Sequence, residues 1–186
     1  MNTILQKSKD TIKKSLARTE IINPFRKLFK EVEFETLAYC NRKCEYCPNI
    51  DFERFGDGES FFMKENVFHT LIKQLKDLGF NGQISPHMYG EPLSDPRLTE
   101  WMAHIRKNLP ESRIKVVTNG DFLSKQKYDE LIAAGVSVFF ISVHSKKLKR
   151  VCLDMLAQLS KEEKEKHIVI HDFYNDYKKD QIMFAN

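Results

Sequence analysis

The sequence predicts an α/β fold with a parallel sheet, and three observations point to it. Short β-rich runs alternate with helical patterns from residue 31 onward, as expected of right-handed βαβ units. The run 136–143 is almost wholly apolar and β-rich, as a strand buried on both faces should be. The notable polar motifs fall where strands end, which is where parallel sheets place ligands.

The elements follow in order. Residues 1–30 form a basic lead-in with eight Lys/Arg against two acidic residues. Ile4, Leu5, Ile12 and Leu16 share a helical face there, and Pro24 ends the helix. This segment is expected to pack on the domain that follows or to serve as a partner-binding or membrane-surface arm. Residues 31–186 form one domain. A strand over 31–38 runs into a cysteine cluster. A helix over 64–78 carries Val67, Leu71, Ile72, Leu75 and Leu78. A second strand covers 82–88. Leu98, Trp101, Met102, Ile105 and Leu109 mark a helix over 97–109, and a third strand covers 113–117. Ser124 caps a helix to Ala134, which Gly135 stops. One helix is expected over 147–166 and a fifth strand over 167–171.

The 186 residues carry a net charge of +4, too mild to argue for nucleic acid and not enough to exclude it. No stretch is apolar enough to span a bilayer, and the N-terminus lacks a signal core, so a cytoplasmic protein is expected. Of four cysteines, three lie within Cys40-Asn41-Arg42-Lys43-Cys44-Glu45-Tyr46-Cys47. A disulfide framework would spread them along the chain, so their crowding points to a reduced metal site. A [4Fe–4S] cluster normally takes four thiolates; three leave one iron open to another ligand. The alternative is structural zinc with His87 as fourth ligand, although zinc usually uses paired Cys-x2-Cys knuckles. Cys152 lies in an apolar helical stripe and reads as a core thiol.

The Cys40, Cys44, Tyr46 and Cys47 spacing after a first strand resembles the radical S-adenosylmethionine (radical SAM) family, whose motif is Cys-x3-Cys-x-aromatic-Cys. Tyr89-Gly90-Glu91-Pro92 resembles the family's "GGE" segment, Thr118-Asn119-Gly120 its "TNG", and Ile141-Ser142-Val143-His144 its "S-hydrophobic-D" strand end. The likeness covers about residues 31–171 and is greatest to the branch with SPASM or twitch extensions, which acts on peptides, sugars and aminocyclitols. It implies a partial parallel (β/α) barrel of about five to six strands. It also implies a [4Fe–4S] cluster on Cys40, Cys44 and Cys47, with S-adenosylmethionine on the open iron. Tyr46, Gly90, Glu91, Asn119 and Ser142 would contact that cofactor. One electron would cleave its sulfonium, and a 5′-deoxyadenosyl radical would take hydrogen from an unidentified substrate.

His144 stands where an aspartate is common. With His87, which precedes Tyr89, it is a candidate catalytic base or substrate contact. The fifth strand lacks the glycine motif often used around adenine, which leaves that contact to Tyr46. A reducing partner such as flavodoxin or ferredoxin is implied. The basic run 146–150 reads as a solvated face, with contact to the cofactor carboxylate as the alternative that the resemblance offers. His171, Asp172 and Asp176, at and after the end of the fifth strand, are expected in solvated loop, with a substrate contact as the alternative. No second cysteine cluster is present, so no auxiliary cluster is expected; with about five βα units against the six that the resemblance implies, the chain is expected to be a compact member or a piece lacking a C-terminal part. A non-catalytic module that keeps the cofactor site is the other reading. Elemental analysis of anaerobically loaded protein is expected to return iron and sulfide; zinc in their place would count for the structural-zinc alternative.

Overall fold

The computed structural model describes residues 29–48, 62–144 and 148–172, so the predicted N-terminal helix lies outside the described residues. Five strands form one sheet in the order of the chain: β1 (Glu31–Glu33), β2 (Gln83–Ser85), β3 (Arg113–Thr118), β4 (Val138–Ser142) and β5 (Ile168–His171). Every neighbouring pair is parallel. Sequential order with right-handed crossovers puts the helices on one face and leaves the other as the inside of an incomplete barrel.

The helices are α1 (Glu65–Asp77), α2 (Leu98–Asn108), α3 (Lys125–Ala133), α4 (Arg150–Gln158) and α5 (Lys161–His167). The core lies between them and the outer face of the sheet. Phe68, Ile72, Trp101, Met102, Ile105, Tyr128, Leu131 and Met155 meet Ile84, Ile114, Val116, Phe139 and Ile141 there. Phe68 and Trp101 stack with ring centroids 4.0 Å apart and planes 10° apart, a contact worth roughly 1 kcal/mol beyond the area it buries. Cys152 is fully buried, as its stripe predicts.

Two departures from expectation have local causes. The single helix expected over 147–166 is two helices. Ser160 accepts from the backbone N–H of Glu163 at 3.1 Å, and Glu163 Oε2 accepts from the Ser160 N–H at 2.7 Å. This capping box starts α5 afresh. The first two strands are shorter than expected. Pro86 has no N–H to continue β2. Past Glu33, the first strand turns to another partner: Thr36 O accepts from Met63 N at 2.7 Å and Leu37 bridges Phe62 antiparallel. Arg97 fixes this crossing by donating to Thr36 O and Met63 O while its guanidinium lies over Trp101.

The loop after β2 is pressed against residues 37–39. Glu91 N donates to Tyr39 O at 2.8 Å, and Glu35 Oε1 accepts from the N–H groups of Tyr89 and Gly90. A Cβ on Gly90 would come within 2.0 Å of the Leu37 carbonyl oxygen. The close approach the glycine allows is therefore, first of all, to the chain's own backbone. Gly90→Ala is expected to destabilise the fold by about 3 kcal/mol, read as a lowered urea midpoint.

Candidate functional site

The three cysteines reach one place because their loop is short and folded on itself. Cys47 N donates to Cys44 O at 2.9 Å, a tight turn that sets these two side by side, and the Arg42 N–H points at Cys40 Sγ at 3.5 Å. All three thiols are free and half-buried. Burial pushes the Cys40 and Cys44 thiols above their usual value, and neighbouring thiolates add to the shift at both. A positively charged iron site would reverse that and hold them as thiolates. Among the described residues, no three His, Cys, Asp or Glu side chains converge on a point that would hold a single ion. Three thiols with a single Cys-x2-Cys pair suit a cluster better than tetrahedral zinc, which usually takes paired knuckles. The donor set fits a [4Fe–4S] cluster.

The cavity at the carboxyl ends of the strands has a volume of about 420 Å³ and is lined by the expected metal, cofactor and catalytic residues Cys40, Cys44, Tyr46, Cys47, His87, Gly90, Glu91, Asn119, Ser142 and His144. Tyr46 and Ser142 thus share a wall with the thiols. The Tyr46 hydroxyl meets His144 Nδ1, joining the cysteine loop to the segment after β4. Burial and the nearby thiols push the Tyr46 phenol up.

Glu91 has a role that spacing did not reveal. Its side chain is buried and its carboxylate accepts three internal donors: Leu93 N at 3.0 Å, Thr118 Oγ1 at 2.6 Å and Asn119 N at 2.8 Å. It therefore ties the loop after β2 to the end of β3, and among the described residues one acceptor direction on Oε2 remains. Asn119 is likewise engaged inside the protein. Its Nδ2 donates to Asn41 Oδ1 at 2.8 Å and its Oδ1 accepts from Asp121 N at 2.9 Å.

Asp121 is the residue that sequence reading missed. It is buried and binds Asn41, Arg42 and Lys149. The available signal was an acid directly after Thr118-Asn119-Gly120, matched by Asn41-Arg42 within the cysteine motif. Of the run 146–150, residues 146 and 147 lie outside the described residues, as does Asp176. Lys149 turns to Asp121.

Deeper along the strands the cavity carries charged and polar groups beside apolar wall. Lys115 on β3 pairs with Glu31 at 2.5 Å and lies 3.6 Å from Glu33, both on β1. His87 lies beside them, and its buried Nδ1 has no hydrogen-bond partner among the described residues. Val117 and Phe140 supply apolar wall.

A family model described as the radical SAM superfamily matches residues 34–164. An S-adenosyl-L-methionine-dependent 2-deoxy-scyllo-inosamine dehydrogenase of Niallia circulans is 38% identical over 138 residues, covering 73% of this chain and 54% of that protein. A GTP 3′,8-cyclase of Helicobacter pylori (strain HPAG1) is 27% identical over 138 residues, covering 70% of this chain and 40% of that one. The chain thus spans about half or less of the length of these curated relatives. Among solved structures, BtrN in complex with AdoMet and 2-DOIA superposes with a TM-score of 0.70 at 34% identity, over 80% of this chain and 58% of that one.

Burial, with Lys115 adding to it, lowers the His87 pKa from 6.5 to about 4. A depressed folded value means the unfolded chain binds the proton more readily, so the linked stability is whole above the ordinary histidine range. It is lost as pH falls toward 4. Urea denaturation at neutral and acid pH is expected to show a smaller acid loss in His87→Gln than in the parent.

Proposed function

The chain belongs to the radical SAM superfamily, and from that premise we propose that it is the core of an enzyme that cleaves S-adenosylmethionine reductively and removes hydrogen from a small polyhydroxylated ring compound of the sugar or aminocyclitol type. Members of the family use a [4Fe–4S] cluster and S-adenosylmethionine, and together these supply hydrogen-atom abstraction when bound. The observation that carries the reading is one cavity holding three free thiols near its rim and the Glu33, Lys115 and His87 groups deeper along the strands.

Cys40, Cys44 and Cys47 hold the cluster. Glu91, Thr118 and Asn119 set the spacing of the β2 and β3 ends, on which orientation of the cofactor depends. The remaining acceptor on Glu91, the hydroxyl of Ser142 and the Tyr46 segment receive the amino acid and nucleoside parts.

His87 and His144 face the substrate. Burial lowers both to about 4, so both are neutral at neutral pH and the site gains no positive charge from them. A neutral imidazole both accepts and donates, which suits a hydroxyl that must be oriented or relieved of its proton. The polar floor of Glu33 and Lys115 offers an acceptor and a donor to further hydroxyl or amino groups. The aminocyclitol class is favoured because it is named in the relative with 38% identity.

Radical SAM enzymes need a reductant. A small acidic carrier such as flavodoxin or ferredoxin suits a chain of net charge +4. No helix among the described residues is long and apolar enough to cross a membrane. Reduced thiols that must stay reduced favour the cytoplasm.

Anaerobically loaded protein given dithionite and S-adenosylmethionine is expected to form 5′-deoxyadenosine. Formation should rise with an aminocyclitol or sugar substrate and vanish in Cys44→Ala. No product from a folded sample carrying its full iron would overturn the proposal; product that no polyol enhances would overturn the substrate class.

A further inference from the structure

Asp121 lies outside the cavity lining yet is bound to the loop that carries the cysteines. It follows Gly120, whose φ of +77° turns the chain back immediately after β3. The Asp121 side chain is 1% exposed. Its Oδ2 accepts from Asn41 Nδ2 and Arg42 Nε, each at 2.8 Å, and its Oδ1 accepts from Arg42 Nη2 at 2.5 Å. Lys149 Nζ stands 3.1 Å from Oδ2. Asn41 and Arg42 are the two residues after Cys40, so one carboxylate grips the cluster loop by a planar fork and an amide. Forked arginine–carboxylate bonds fix orientation as well as charge.

The electrostatics are as specific as the geometry. Burial by itself would raise the Asp121 carboxyl, but the donors from Arg42, Lys149 and Asn41 hold it below the usual aspartate range. Arg42 is a half-buried cation beside Cys40 and Cys44 that feels both thiolates, and its backbone N–H points at Cys40 Sγ. A cluster's potential depends on net charge nearby, on hydrogen bonds to its sulfurs and on exposure. An unbalanced guanidinium at this position would stabilise the reduced, more negative cluster and raise its potential. Asp121 cancels that charge at hydrogen-bond distance. Lys149, at 58% exposure, is screened by solvent and contributes less.

We propose that Asp121 is a positioning residue for the iron–sulfur site, which orients the cysteine loop through Asn41 and Arg42 and keeps the cluster at low potential by offsetting the Arg42 charge. The role is independent of the substrate and rests only on the cluster-binding part of the function proposed above. It acts through Asn41 and Arg42 and lies outside the cavity lining.

The test uses the full chain, loaded anaerobically, with Asp121→Asn and Arg42→Gln prepared beside it. Wild type is first assayed for iron and sulfide; failure to load removes the cluster-binding reading itself and is distinguishable from failure of this inference. Potentials are then measured by titration followed by electron paramagnetic resonance. Asp121→Asn is expected to move the midpoint positive, because Arg42 loses its counter-charge. Arg42→Gln is expected to move it negative, because the carboxylate keeps only the solvent-screened Lys149 as counter-charge. Loss of iron to a chelator should quicken about tenfold in both. Shifts of the same sign in both variants, or unchanged midpoints in samples with the wild-type urea midpoint, would overturn the proposal. If Asp121→Asn does not fold, the sign of the Arg42→Gln shift decides.

Discussion

The site depends on two buried carboxylates that join loops from different strands. Strand ends in a parallel sheet have no ladder to hold them, and the groups they present must be satisfied by something else. Glu91 satisfies the end of β3 through Thr118 and the Asn119 N–H, and Asp121 satisfies the cysteine loop through Asn41 and Arg42. Asn119 bridges the two, its amide reaching Asn41 and its oxygen accepting from Asp121. The ends of β2 and β3 and the cysteine loop thus form one hydrogen-bonded unit rather than three loops.

Such a unit has a chemical consequence. Buried polar networks rigidify when every member is satisfied and are costly when one is not. Here the network lies against the loop that carries the three cysteines, and a loose network would spread the positions those thiols take. Glu91 and Asn119, which a motif reading assigns to cofactor contact, also tie these loops to one another. Gly90 belongs with them, since its missing side chain is what admits the Leu37 carbonyl.

Below the rim the incomplete barrel differs in character. Its inner face carries Glu31, Glu33, Lys115 and His87, while the outer face is packed with Ile84, Ile114, Val116 and Phe139 against the helices. Strand alternation alone separates these two environments. A hydrophobic outer face supplies stability, and a polar inner face leaves hydrogen-bonding groups available in a cavity.

The α/β class, the five parallel strands and the order of the helices were legible in the sequence, because a period of 3.6 or an apolar β-rich run reports directly on which face a residue buries. The cysteine loop was legible for a different reason: ligand spacing is local, and Cys40, Cys44 and Cys47 lie in one turn of chain. The Ser160 capping box was also local and was read past, so two helices stood as one. What only the tertiary structure decided is non-local. The bond from Asp121 to Arg42 spans 79 positions and that from Glu91 to Thr118 spans 27. No periodicity marks an aspartate as buried or a glutamate as occupied. Those facts appear only when separate strand ends arrive at one place and their charges must find partners.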